Sequence, residues 1–128
     1  MTEAKTVALL GCTGRVGGWV LEIALERGLT LRVLVRRPEK LDAYKGQLQV
    51  VQGGIDDEEK MRELVTGVDI VISTLGSPSK NNLIMTTAAE TLVTVLQNMN
   101  EPPRQVKLFT YYKNLFTLID VNTYFFNL

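Results

Sequence analysis

A run of closely spaced glycines near the start of the chain has the residue types needed to bind phosphate. Glycine at its first position permits a sharp turn, and at its second lets backbone approach a phosphate without an intervening Cβ. Glycine at the third position lets a helix pack closely on a sheet. Unpaired N–H groups at that helix start would face the phosphate, and Thr13 could add a hydroxyl donor. The alternative is a tight turn in a domain that binds something else. The run comprises Gly11, Cys12, Thr13, Gly14, Arg15, Val16 and Gly17.

A pair of arginines, Arg36 and Arg37, lies about twenty residues beyond these glycines. An NAD site usually carries an acid at this position, which binds the ribose 2′-hydroxyl. Guanidinium groups instead match a 2′-phosphate through bidentate, charge-assisted hydrogen bonds, and Arg15 could assist them. The pair predicts NADP(H) in preference to NAD(H), against the alternative of two solvated surface arginines.

Two more loops follow predicted strands and should reach the same ligand, because ligands of such sheets bind at the carboxyl ends of the strands. Ile55 follows Gly53 and Gly54 and could pack on the adenine face. Leu75, Gly76 and Ser77 should lie beside the nicotinamide ribose. The alternative for these glycines is ordinary turn chemistry.

The elements that must position these loops alternate along the first hundred residues. Short apolar runs typical of buried strands begin at Val7, Leu31, Leu48, Val68 and Val106. Helical patterns separate them, over about 16–27, 38–44, 56–65 and 82–98. Strands that are apolar throughout and alternate with helices predict an α/β fold, a doubly wound parallel sheet in the order 3-2-1-4-5. We assign residues 1–110 to this domain.

Four further residues carry local predictions. Trp19 lies at apolar spacing in the first helix, which favours core packing over stacking on a ligand. Asp56 and Glu59 have the spacing of a capping box at the start of the third helical pattern. Cys12 precedes a helix, where a lowered thiol pKa would permit redox chemistry, although a small packing residue is the favoured interpretation.

Composition excludes several classes of function. Lys+Arg and Asp+Glu number 14 each, so no basic field exists to attract nucleic acid or an anionic membrane. The chain has no histidine, which excludes Ser-His-Asp and Cys-His catalysis and histidine-ligated metals. One cysteine permits no intramolecular disulfide, and no apolar run approaches the ~18 residues of a membrane span. With no targeting segment evident, we expect a cytoplasmic protein.

Together these segments resemble the atypical short-chain dehydrogenase/reductase superfamily, particularly NmrA-like proteins and the flavin reductase/biliverdin-IXβ reductase branch. The resemblance implies a Rossmann-type domain in which Gly11–Gly17 bind the pyrophosphate, Arg36 the 2′-phosphate and Leu75–Ser77 the nicotinamide side. It also implies reduction of a small acceptor such as a flavin, quinone, tetrapyrrole or carbonyl-like compound, or, in NmrA-like relatives, cofactor sensing without turnover. It covers about residues 5–110 and rests on Leu10–Gly17, Leu34–Pro38, Val50–Gly53, Gly67–Ile72 and Leu75–Gly76.

The chain departs from that family at several positions. No tyrosine has a lysine four residues later, so the Tyr-x-x-x-Lys motif of short-chain reductases is missing. Thr110 is followed by Tyr111, where many relatives have Thr-Ser, and Gly53-Gly54 replaces a frequent Gly-Asp. The family's C-terminal substrate part is expected to be lacking, and we assign no catalytic residue.

Residues 111–128 differ sharply from the rest because they are rich in Phe, Tyr, Asn, Leu and Thr. Three interpretations remain open: a truncated or mis-spliced end, a segment for partner binding or self-association, and ordinary divergence that completes the core. The functions that follow are an NADPH-dependent reductase of a small acceptor, a non-catalytic NADP-binding sensor or remnant, and an interaction protein that uses this tail.

Overall fold

A computed structural model describes residues 5–75, 83–112 and 115–120. These residues form a sheet of six strands covered by helices. The strands are β1 Thr6–Leu10, β2 Thr30–Val35, β3 Gln49–Gln52, β4 Ile70–Ser73, β5 Gln105–Tyr112 and β6 Leu115–Asp120. The helices are α1 Arg15–Glu26, α2 Glu58–Val65 and α3 Leu83–Gln97, with a 3₁₀ helix over Pro38–Tyr44.

The first five strands are parallel and lie in the order β3-β2-β1-β4-β5, as the sequence predicts. At the carboxyl edge, Leu10 of β1 pairs with Leu34 of β2 on one side and with Ser73 of β4 on the other. Val35 of β2 pairs with Gln52 of β3. The glycine run, the arginine pair and the two later loops therefore leave the sheet at one common edge.

The core lies on both faces of this sheet. Successive residues of a strand face opposite sides, so Ala8 and Leu10 contribute to one cluster while Val7 and Leu9 contribute to the other. The first cluster includes buried residues of α2 and α3, and the second includes residues of α1 and the 3₁₀ helix. Burial on both faces explains why the central strands are apolar throughout.

A sixth strand extends the sheet beyond the sequence prediction. β6 pairs antiparallel with β5, from Lys107 opposite Asp120 to Tyr112 opposite Leu115. β5 itself runs across residue 110, so the division of the chain at that point stays a prediction. The Leu, Phe, Thr and Ile residues of β6 favour strands. The abrupt change in composition nevertheless predicts a separate tail over 111–128, which is why the sequence does not indicate this strand.

The core position predicted for Trp19 is wrong, because 57% of this residue is exposed. α1 buries Gly17, Leu21 and Ala24 against the sheet. Trp19 lies two residues after Gly17, and a helix turns about 100° per residue, so Trp19 points away from this buried stripe. The face that packs on the sheet is set by the small residues, which permit close approach, rather than by the largest apolar one.

The capping box predicted at Asp56 and Glu59 is also wrong, by one residue. α2 begins at Glu58, and its N-cap is Asp57, whose Oδ1 accepts a hydrogen bond from the backbone N–H of Lys60 at 3.1 Å. Both aspartates are good N-cap residues, so their spacing to the helix could not decide between them.

The C-terminal end of α2 is held by Arg32, a residue of β2. Its Nη1 donates to the carbonyl oxygens of Glu63, Leu64 and Thr66 at 3.0, 3.2 and 2.7 Å. Its Nε donates to Oε1 of Gln49 in β3 at 2.9 Å. One guanidinium thus satisfies carbonyls that the helix leaves unpaired and joins three elements.

Replacing Arg32 with alanine should lower the free energy of unfolding by about 1–2 kcal/mol, because the carbonyls lose a charged donor. Arg32→Lys is the matched control: its single ammonium keeps the charge but lacks the planar fork, so it should retain part of this stability. Urea denaturation followed by circular dichroism measures both variants. An alanine variant as stable as the parent would show that this cap contributes nothing.

Candidate functional site

A cleft of about 310 Å³ opens where the carboxyl ends of β1, β2 and β3 meet. This volume lies within the range of small-ligand sites. Of the predicted residues, the cleft brings together Gly11–Thr13, both arginines, Ile55 and Leu75. The rest of the glycine run, residues 14–17, does not line it. Gly76 and Ser77, also predicted at this edge, lie outside the described residues. The lining consists of Leu10, Gly11, Cys12, Thr13, Leu34, Val35, Arg36, Arg37, Lys40, Gly53, Ile55, Leu75 and Ile84.

The glycine turn depends on two positions that cannot carry a side chain. Gly11 has φ +86°, a left-handed conformation that favours glycine. A Cβ at Gly17 would lie 1.8 Å from the carbonyl oxygen of Gly11, far inside van der Waals contact. The first turn of α1 is therefore packed directly on the end of β1, which is the close approach expected of the third glycine.

Gly14 has a different environment. Its N–H donates to the carbonyl of Gly11 at 3.1 Å, and it is the N-cap of α1 with no side chain capping the helix. Gly14 is exposed, and a Cβ there would meet only the Gly11 oxygen, at 3.4 Å. The positive end of α1 is thus left open, with Thr13, Arg15 and half-buried Val16 around it, and this arrangement suits an anion.

Thr74 locks the turn from the neighbouring strand. Its backbone N–H and its Oγ1 both lie 2.9 Å from the Leu10 carbonyl oxygen, and Oγ1 is also 3.2 Å from that of Gly11. These contacts tie the residue after β4 to the end of β1. Nothing in the sequence indicates this role of Thr74, because the sequence does not show which carbonyls a threonine will reach.

Three cationic side chains lie at one end of the cleft. Arg36 and Arg37 follow β2, and Lys40 comes from the 3₁₀ helix. All three are exposed, and within the described ranges none makes an ion pair with a carboxylate. Lys40 was missed by the sequence analysis, although Pro38 predicted the short helix that carries it. The lining also includes apolar side chains, among them Ile55 and Leu75.

Cys12 is a packing residue rather than a reactive thiol. It is 3% exposed and contacts the cluster beneath α1. Burial raises the pKa of its thiol to about 11, opposite in direction to the lowering that a helix N-terminus could produce. The neutral thiol therefore persists at physiological pH, and the redox alternative is not supported.

The part of the chain that the structure describes contains neither a candidate metal site nor a candidate membrane-spanning helix. No three His, Cys, Asp or Glu side chains there are grouped closely enough to hold a metal ion. Nor does any helix there have the length and apolar character needed to cross a bilayer. The cytoplasmic location stays a prediction.

Comparison with known proteins decides the family. Residues 11–109, from the glycine turn to β5, match the NAD(P)H-binding family. The chain belongs to this family. The NAD(P)-binding Rossmann domain that the resemblance implied is thereby confirmed. The cleft lined by the glycine turn lies within the matched segment.

Several curated relatives of this NAD(P)H-binding domain are named as reductases. "Phenylcoumaran benzylic ether reductase PT1" of Pinus taeda is 33% identical over 87 residues, which is 60% of this chain and 28% of the relative. "Cinnamoyl-CoA reductase 1" of Arabidopsis thaliana is 31% identical over 78 residues, covering 55% of this chain and 23% of the relative. The matched part thus amounts to only about a quarter of each relative's length.

Solved structures support the same fold. ChuY, an anaerobillin reductase from Escherichia coli O157:H7, superposes with a TM-score of 0.56 at 22% identity, over 70% of this chain and 46% of that one. AtPrR2, solved with NADP+ and (+)pinoresinol, superposes with a TM-score of 0.61 at 22% identity, over 74% of this chain and 34% of that one. At this identity the likeness establishes the Rossmann fold alone.

The two adjacent glycines of α1 should respond oppositely to the same substitution. Gly17→Ala should lower the free energy of unfolding by about 1–3 kcal/mol, because its Cβ collides with the backbone of Gly11. Gly18→Ala should raise it by about 0.5–1 kcal/mol, because a Cβ there lies 3.9 Å from the nearest atom and alanine favours helix. Urea denaturation measures both, and equal effects would contradict the packing described for the turn.

Proposed function

We propose that this domain binds NADP(H) in the cleft, in preference to NAD(H), and serves the reduction of a small acceptor such as a flavin, quinone or carbonyl-like compound. The observation that carries the proposal is the meeting of Arg36, Arg37 and Lys40 beside the glycine turn. In the described part of the chain these cations have no carboxylate partner, so a ligand phosphate is the anion that would neutralise them.

The cofactor's pyrophosphate is assigned to the open N-terminus of α1. Backbone N–H groups of Arg15, Val16 and Gly17 begin that helix without a capping side chain, and the hydroxyl of Thr13 adds a donor. The guanidinium of Arg15 is exposed beside the turn and would contribute charge. Gly14 leaves open space in front of these donors, so phosphate oxygens can approach the backbone closely.

The adenosine and nicotinamide parts of the cofactor are assigned from the residues that line the cleft. The 2′-phosphate is assigned to Arg36, Arg37 and Lys40, and the adenine to the half-buried side chain of Ile55. The nicotinamide side is assigned to Leu75, with Gly76 and Ser77 next in sequence. Exposed charge-assisted hydrogen bonds contribute modestly each, so three cations should favour NADPH over NADH by about 10- to 100-fold.

The reductase activity rests on the relatives. The cofactor would supply a hydride when bound, and this chain's own residues would orient it and keep water from the apolar residues of the cleft. Phenylcoumaran benzylic ether reductase and cinnamoyl-CoA reductase support this activity by name, as does the NADP+ bound in the AtPrR2 structure. No side chain of the described residues is assigned to proton transfer.

A non-catalytic NADP-binding sensor or remnant is the second candidate. It is favoured by Tyr111, which follows Thr110 at the position where the family resemblance places serine. The two candidates share the binding site and differ only in turnover. Oxidation of NADPH that depends on an added flavin, quinone or tetrapyrrole would support the reductase, and binding without any such oxidation would support the sensor.

Calorimetric titration with NADPH and NADH tests the binding proposal. Arg36→Gln should weaken NADPH binding by about tenfold and leave NADH unchanged, because it removes one charged donor to the 2′-phosphate. Arg62→Gln, an exposed arginine of α2 outside the cleft, should change neither. A parent protein that binds NADH as tightly as NADPH, or an Arg36 variant that weakens both equally, would overturn the assignment.

A further inference from the structure

One side-chain hydrogen bond joins the 3₁₀ helix to α1. Tyr44 Oη, at the end of the 3₁₀ helix, donates to Oε1 of Glu22 in the middle of α1 at 3.0 Å. This bond to a carboxylate raises the pKa of the Tyr44 hydroxyl above its ordinary value, so the hydroxyl remains a donor at all physiological pH values. The ring of Tyr44 is half-buried and packs on the cluster beneath α1.

The 3₁₀ helix needs such an anchor because it has little stability of its own. It contains a break at Leu41, where φ is −107° and ψ is 18°, so two short turns meet there at an angle. Lys40 N–H bonds to the Arg37 carbonyl before the break, and Lys45 N–H bonds to the Asp42 carbonyl after it. Isolated turns of this length do not persist without tertiary contacts.

Three contacts anchor the segment among the described residues: the Leu41 side chain, the Tyr44 ring and the Tyr44–Glu22 hydrogen bond. The side chain of Leu41 is buried in the cluster that also contains Cys12 and Leu21. The Tyr44–Glu22 hydrogen bond then fixes the far end of the segment. Leu41 anchors the segment through non-directional packing, whereas the hydrogen bond has a defined length and direction, so it limits how the segment slides or rotates over α1.

The Tyr44–Glu22 hydrogen bond connects α1, which begins at the glycine turn, with the 3₁₀ helix beside the cations. α1 starts at the glycine turn, and the 3₁₀ helix carries Lys40 and directly follows Arg36 and Arg37. Arg36 directly follows β2 and its carbonyl accepts from Gln52 Nε2 of β3 at 3.5 Å, so the sheet holds it. The positions of Arg37 and Lys40 relative to the N-terminus of α1 depend on how the 3₁₀ helix is held against α1. In a bound dinucleotide, the covalent structure fixes the separation between the pyrophosphate and the 2′-phosphate within narrow limits.

We propose that Tyr44 and Glu22 are positioning residues for cofactor specificity: their hydrogen bond holds the cationic segment at the distance from the glycine turn that a 2′-phosphorylated adenosine ligand requires. The inference rests on the proposed NADP(H) site and adds two residues that do not line the cleft. Neither residue contacts the ligand, so their loss should reduce recognition of the 2′-phosphate while leaving binding of the rest of the nucleotide intact.

Binding of 2′,5′-ADP and 5′-AMP, which differ by the 2′-phosphate, tests this proposal in the full chain by calorimetry. Tyr44→Phe keeps the ring and removes the donor, and Glu22→Ala removes the acceptor. Each should weaken 2′,5′-ADP by about threefold to tenfold and leave 5′-AMP unchanged. Glu22→Gln is the matched control because its amide oxygen still accepts the bond, and it should bind 2′,5′-ADP as the parent does. The Tyr44→Phe/Glu22→Ala double variant should be no weaker than either single variant.

The outcomes separate the two proposals. A parent protein that does not distinguish 2′,5′-ADP from 5′-AMP overturns the NADP(H) site itself. A parent that prefers 2′,5′-ADP, together with Tyr44→Phe and Glu22→Ala variants that keep this preference, leaves the site standing and overturns the positioning role. Equal weakening of both nucleotides would show a general structural role and would also overturn it. Loss of preference in Glu22→Gln to the same extent as in Glu22→Ala would assign the effect to charge rather than to the hydrogen bond.

Discussion

The backbone of Gly17 lies against the carbonyl of Gly11, and every other feature of the site depends on this contact. No side chain fits between them, since a Cβ on Gly17 would stand 1.8 Å from the Gly11 oxygen. The contact seats the first turn of α1 on the end of β1, and Thr74 holds the same carbonyl from β4. The open end of α1 is consequently aimed across the carboxyl edge of the sheet, where the cleft lies.

The parallel sheet places this local contact beside the other residues of the cleft. Its register brings the residues after β1, β2, β3 and β4 to one edge, so the glycine turn, the cationic side chains after β2 and the apolar Ile55 and Leu75 meet although they are far apart in sequence. The buried strands have little freedom to slide, because each core cluster packs on a different face. The loops can therefore vary in chemistry while their starting points stay fixed.

The fold and much of the site follow from local sequence patterns. The glycine spacing, the apolar strands and the arginines after β2 are encoded by neighbouring residues, so their placement could be predicted. Trp19 could not, because the side of α1 that packs on the sheet is decided by which residues permit close approach. The role of Arg32 could not either, since its partners are distant in sequence. Lys40 was missed because no pattern shows which residue of the short helix faces the cleft, and β6 because its composition differs from that of the other strands.

The central claim is that Arg36, Arg37 and Lys40 together bind a cofactor 2′-phosphate. Phosphorus NMR of NADPH mixed with excess protein, recorded as pH is lowered, tests it most directly. The dianion of a free phosphate monoester gains a proton near pH 6. Three cations favour the doubly charged form, so the account predicts that the bound 2′-phosphate resonance titrates at a clearly lower pH than in free NADPH. A bound resonance that titrates as in free NADPH would place this phosphate in solvent and contradict the account.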